Sequence, residues 1–175
     1  DGGRWMAREY ALQGMPNALR AAFPASPGHM IIDVDYSSCH FWLAANMGAL
    51  AESFGIRQGI KYRGQIRDAL ERTLKLDPAF LQGSADRAIG RWYFKVPGLF
   101  GGSNRKSEEH LRKALTYNPQ SVISHIFLAD TLADMGRTDE ARKEYQAAID
   151  APPDPDWIPE DRRFKEQAKQ ILQSR

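Results

Sequence analysis

The residues in this 175-residue chain whose types could do bond-making or metal chemistry are four histidines, one cysteine and two alternating carboxylates. His29, His40, His110 and His125 are scattered, and no two stand three or four residues apart, the spacing a helix needs to aim two imidazoles at one metal. Cys39 has His40 beside it, but a nucleophile needs both an activating base and a group to orient that base. A single cysteine also rules out an intrachain disulfide and a cysteine zinc site. Asp33 and Asp35 are not followed by the oxygen-bearing run of a calcium loop, so capping of the next helix, by Asp35 or Ser37, is the better account. "GLFGGSNRK", residues 98–106, has the glycines of a phosphate loop but neither its spacing nor a strand before it. No acid, base and nucleophile assemble, and the expectation is a non-catalytic protein with no metal and no cofactor.

Binding chemistry is better represented. Phe41 and Trp42 form one aromatic group, and Trp92, Tyr93 and Phe94 another, each on adjacent faces of a helix. Two readings are open. These rings are core between helices, or they line a pocket of Trp42, Ile89, Trp92 and Tyr93, joined by Phe100, with Arg87 or Arg91 as its polar anchor. A mainly apolar cleft with few polar groups is how small-molecule sites are usually built. Further along, Ile126 and Asp130 mix apolar and acidic character on one helix. Directly after the second aromatic group runs "KVPGLFGGSNR", longer than a turn requires. Surface loops tolerate insertion cheaply, but Val96, Pro97, Leu99 and Phe100 are apolar and are expected to dock on a helix pair. Gly101 and Gly102 would let the backbone take left-handed angles and approach closely. The candidate binding set is therefore Trp42, Arg87, Ile89, Arg91, Trp92, Tyr93, Leu99, Phe100, Ile126 and Asp130.

Charge and composition limit the partners. With 24 basic and 22 acidic side chains the formal charge is +2, too balanced for a nucleic-acid surface. No apolar run approaches the roughly 18 residues of a membrane helix. The first residue is Asp1 and not methionine, as in a fragment or a processed form.

The elements that must hold these residues recur. "LKLDPAF", "LTYNPQS" and "IDAPPDP" carry Pro78, Pro119 and Pro153, the last two 34 residues apart and the first two 41. Each proline follows one amphipathic segment and precedes another, as a helix stop should. The clearest unit pairs "VISHIFLADTLADMG", closed by Gly136, with "RTDEARKEYQAAIDAP", where Thr138 is the expected N-cap. In the first unit "YSSCHFWLAANMGALAES" and "YRGQIRDALERTLKL" are expected helices joined by a long loop, "FGIRQGI". About two extra residues enter the middle unit near Gly83–Ser84.

The last unit resembles a tetratricopeptide repeat position by position. Leu128 and Ala129 stand at the Leu-Gly pair, Gly136 at the turn, and Ala141, Tyr145 and Ala148 at the small-aromatic-small pattern of the second helix. His125 departs from the usual tryptophan and could face the groove. The fold this implies is all-α: a right-handed solenoid of about three imperfect tetratricopeptide-like helix hairpins, residues 36–78, 79–119 and 120–153 within a 36–155 array. A helix and linker over 1–35 would pack on it, and a capping helix over 156–175 would close it, with Phe164, Ala168, Ile171 and Leu172 as its apolar stripe.

A narrower resemblance rests on "LDPAF", "RAIGRWYFKVPGLFGGSNRKSEEHLRKAL" and "LADTLADMGRTDEA". These look like the T-component family of TRAP-type transporters, which carries a Leu-Gly, Pro-Gly, Gly-Gly segment at the same place. The Ile89–Trp92 stretch equally resembles the regulators of microtubule dynamics. The first resemblance implies a periplasmic or envelope hub beside a periplasmic solute-binding protein, a cavity that passes or holds an apolar small ligand, and a homo-oligomer; nothing in the residues argues against the cytoplasm. The alternative function is a generic tetratricopeptide scaffold that grips a peptide or folded partner with no small ligand.

Overall fold

Three Asx-Pro pairs punctuate the chain, and the computed structural model, which describes residues 36–54 and 56–174, makes the same turn at each. Asp77 Oδ1 accepts from the backbone N–H of Ala79 at 3.0 Å, Asn118 Oδ1 from that of Gln120 at 3.0 Å, and Asp154 Oδ1 from that of Asp156 at 3.0 Å. A side-chain acceptor two residues back gives the backbone a partner other than the helix ladder, and the proline after it cannot donate at all. Between these stops lie seven α-helices among the described residues: α1 Tyr36–Phe54, α2 Ile56–Leu76, α3 Phe80–Lys95, α4 Asn104–Tyr117, α5 Val122–Asp134, α6 Thr138–Asp150 and α7 Ile158–Gln173. The helix expected within 1–35 and the cap expected from Asp35 lie outside the described residues.

Helices pack in sequential pairs, α1 on α2, α3 on α4 and α5 on α6, with α7 against α5 and α6. The odd-numbered helices also touch one another, α1 with α3, α3 with α5 and α5 with α7, whereas packing between the even-numbered ones is slighter. The odd helices therefore form the tighter, inner layer. Close approach within the middle pair depends on Gly90: a Cβ there would fall 2.7 Å from Leu111 Cγ and 3.2 Å from the Ser107 carbonyl oxygen. Buried Leu111, Leu128 and Leu132 fill the space beside Ala129, Ala141 and Ala148, and Ala168 of α7 joins the same cluster. Each fully buried leucine contributes about 1.5–3 kcal/mol. A second cluster gathers Ala44, Ile66, Ala69, Leu70, Ile89, Trp92 and Tyr93 from α1, α2 and α3.

Local departures from the sequence expectation have physical causes. Most of "FGIRQGI" is helix and not loop: α1 runs to Phe54, and α2 starts at Ile56 and runs 21 residues, because its interior glycines, Gly59 and Gly64, cost only about 1 kcal/mol each and no proline interrupts it. Ser37 is the second residue of α1, past the cap position. Thr138 is the first residue of α6, whose cap position is Arg137; the Arg137 guanidinium instead holds Glu140 and Glu108, both at 2.6 Å. Ser103 and Ser121 do cap, accepting from Lys106 N–H at 3.4 Å and Ser124 N–H at 3.3 Å. Gly136 takes φ 75° and ends α5, and Arg137 N–H returns to the Leu132 carbonyl at 2.9 Å. At the start of α3, Leu81, Gln82 and Gly83 all adopt left-handed angles (φ 44°, 56° and 77°), so the straight helix begins at Ser84.

Candidate functional site

On the inner layer, Arg91 of α3 reaches across to α5. Its Nη1 donates to Asp130 Oδ2 at 2.8 Å, and its guanidinium lies 4.2 Å from the ring centre of Phe127 and 5.0 Å from that of Phe94. The other Asp130 oxygen accepts from the Tyr145 hydroxyl of α6 at 2.8 Å. One carboxylate thus ties three helices, while Arg91 and Asp130 keep 24% and 25% of their side-chain surface in solvent. Beside them lies a shallow, open depression of about 320 Å³ lined by Phe94, Asp130, Ala133, Asp134 and Tyr145. Phe127 also meets Phe164 of α7 edge-on at 6.3 Å, which carries the same face onto the last helix.

Arg87 stands one turn before Arg91 on α3 and is half-buried. Burial pulls its pKa down, against the charges of Asp154 and Asp161, which raise it. Asp161 is itself buried, and burial first, then the charge of Asp154, pushes its carboxyl up although it accepts from Asp154 N–H at 2.8 Å. The face therefore runs from an arginine wall on α3 to carboxylates on α5 and at the head of α7.

A family model for the TRAP transporter T-component matches residues 33–171. The chain belongs to that family. The family is one of transporter components. Beyond it, the chain is similar to regulator of microtubule dynamics protein 3 of Mus musculus, 22% identical over 180 residues. That alignment covers 94% of this chain and 36% of the mouse protein, so the chain spans about a third of that relative's length.

Within this T-component chain the ten residues singled out from sequence separate into groups. Arg91 and Asp130 come together. Ile89, Trp92, Tyr93 and Ile126 are between 1% and 8% exposed and sit in the two apolar clusters. Trp92 Nε1 donates to the Arg63 carbonyl at 3.0 Å, and Tyr93 stacks on His110 with ring centres 5.6 Å apart. Trp42 is half-buried on α1, edge-on to Phe41 at 5.4 Å, and its Nε1 has no hydrogen-bond partner. Leu99 was expected to dock and does not: it is 90% exposed, and Phe100 beside it is 37% exposed under the Arg63 guanidinium, 5.4 Å away.

His125 faces α6 and the turn before α5. Its Nδ1 lies 2.6 Å from Glu144 Oε2, and its Nε2 lies 2.9 Å from the Pro119 carbonyl. Both partners only accept, so the ring serves both as the doubly protonated imidazolium. Burial lowers its pKa, but the bonds to Glu144 and Pro119 and the Glu144 charge together leave it raised. Among the described residues no group of three or more His, Cys, Asp or Glu side chains is placed to hold a metal. Sequence reasoning missed Phe127, Asp134 and the Tyr145 hydroxyl as parts of the face. The first two were signalled by their spacing from Asp130, three residues before and four after.

Proposed function

We propose that the chain is a non-catalytic binding component of a TRAP-type transport system at the cell envelope, and that it grips a partner protein on the face built by α3, α5 and α6. The observation that carries this reading is the Arg91–Asp130–Tyr145 junction: cation, carboxylate and aromatic groups held in fixed geometry yet partly open to solvent, beside a shallow depression. Hot spots of protein interfaces favour Arg and Tyr in such settings. A TRAP-type system offers a periplasmic solute-binding protein as the partner. A small apolar ligand would need the aromatic cluster as its pocket, and the low exposure of Ile89, Trp92 and Tyr93 weighs towards the partner-protein reading.

The test is binding of the purified chain to the solute-binding protein of its own transport system, followed by calorimetry. Arg91→Glu should weaken binding by tenfold or more, roughly 1.4 kcal/mol, with the melting temperature measured alongside. Binding that is absent, or that Arg91→Glu leaves unchanged in a folded protein, overturns the reading. Native mass spectrometry of the chain purified without a partner tests for the small ligand, which would appear as a fixed added mass.

A further inference from the structure

We propose that the Gly98–Phe100 turn, with the basic residues at its base, is a contact loop for an anionic lipid surface. The inference is independent of the face on α3, α5 and α6. The loop is built and not slack. Phe100 N–H bonds to the Pro97 carbonyl at 2.8 Å, Gly101 N–H to Gly98 at 3.0 Å and Gly102 N–H to Pro97 at 3.2 Å, and Ser103 N–H closes on the Tyr93 carbonyl at 2.9 Å. Gly101 adopts φ 102°, and a Cβ on Gly102 would fall 1.6 Å from the Val96 carbonyl oxygen, so the chain is pinned tightly under the tip. On this fixed base Leu99 projects with 90% of its surface in solvent and Phe100 with 37%. An apolar side chain held outward by a rigid turn gains little from the fold and is free to be buried by something outside it.

The surround gives the sign. From Lys95 to Ser107 the chain carries Lys95, Arg105 and Lys106 and no carboxylate, all three exposed, and Arg63 lies over Phe100. Of the carboxylates nearby, Asp134 accepts from the Asn104 side chain and Glu108 is held by Arg112 and Arg137, while Glu109 is exposed on α4. An apolar tip within a cationic collar matches the edge of an anionic bilayer, where acyl chains lie just beneath negative headgroups. A protein partner fits less well. A standard interface covers roughly 800 Å² on each side, and two side chains on a convex tip present a small part of that.

The full chain is mixed with phosphatidylcholine vesicles, with and without phosphatidylglycerol, and co-sedimented. Binding is expected only with phosphatidylglycerol and should fade with salt. Leu99→Asp should lower it by roughly tenfold or more, and Lys95→Gln or Arg105→Gln by roughly fivefold each. Leu99 is so exposed that its replacement should leave the melting temperature unchanged, which separates lost contact from lost fold. Failure of the wild-type chain to bind phosphatidylglycerol vesicles, or equal binding by Leu99→Asp, overturns the proposal. So does a Leu99→Asp chain that keeps vesicle binding but loses the solute-binding protein, because the loop would then be a protein contact.

Discussion

Arg91 and Asp130 stand 39 residues apart in the chain and 2.8 Å apart in space. Their pairing joins two helix pairs at a point where the Phe127 ring also covers the guanidinium. A double-mutant cycle with Arg91→Ala and Asp130→Ala should return a coupling of about 1–2 kcal/mol, the range for a charge-assisted hydrogen bond away from bulk water. Urea unfolding of the four proteins measures it. A coupling near zero would mean that solvent already screens the pair.

Gly102 and Gly98 lie four residues apart in one loop with opposite surroundings. Gly102→Ala drives a methyl group into the Val96 backbone and should destabilise by about 1–3 kcal/mol or more. Nothing stands within 4 Å of a Cβ at Gly98, so Gly98→Ala should stay within about 0.5 kcal/mol of wild type. Thermal melts of the two variants make the comparison, and equal effects would contradict the loop path.

Trp92 is 7% exposed and bonded through Nε1 to the Arg63 carbonyl. Trp92→Ala should cost about 3–5 kcal/mol, the cost of removing a large core ring. Partner affinity of the fraction that stays folded should not change. A variant with unaltered stability and lost binding would return this ring to the pocket reading.

His125 makes stability depend on pH. Its folded pKa is raised above that of the unfolded chain, about 6.5. A group that holds its proton more tightly when folded contributes fully below the unfolded value, and the contribution drains away as pH rises through the folded value. The gap in urea midpoint between wild type and His125→Gln should therefore be widest in mild acid and shrink in mild alkali. A gap that grows with pH would mean that the neutral ring is the form the fold prefers.

Much of the fold was legible because helix stops are local chemistry. Asp77-Pro78 and Asn118-Pro119 each follow the end of a helix with an Asx turn, and Gly136 ends α5 through its freedom at positive φ; Pro153 lies three residues past the end of α6, and the third Asx turn is at Asp154, ahead of α7. Leu81 and Gln82 were not legible, since no local rule sends a leucine and a glutamine left-handed. The run ends at Gly83, which presses on Tyr117, 34 residues on, so closely that a Cβ would sit 2.7 Å from its ring. The candidate site was half legible for a related reason. Helical spacing puts Ile89, Trp92 and Tyr93 near one another, but spacing does not say whether a partner helix covers them. In the structure α2 and α4 do, while Arg91, one position before Trp92, turns to the inner layer.

The two apolar clusters divide inside the middle helix pair: Ile89, Trp92 and Tyr93 of α3 belong to one, and Leu111 of α4 to the other. What bridges the division is the close approach of Leu111 to Gly90 and, beside it, a polar group. Asp86 of α3, wholly buried, meets His110 at 2.8 Å and Lys113 at 3.1 Å, both on α4. Oily contacts have no fixed direction, whereas a carboxylate held between two basic groups joins particular partners on two helices. The chain thus carries a polar seam between two cores, and each half can open while the other keeps its own. Amide exchange should sort into two blocks that meet between α3 and α4.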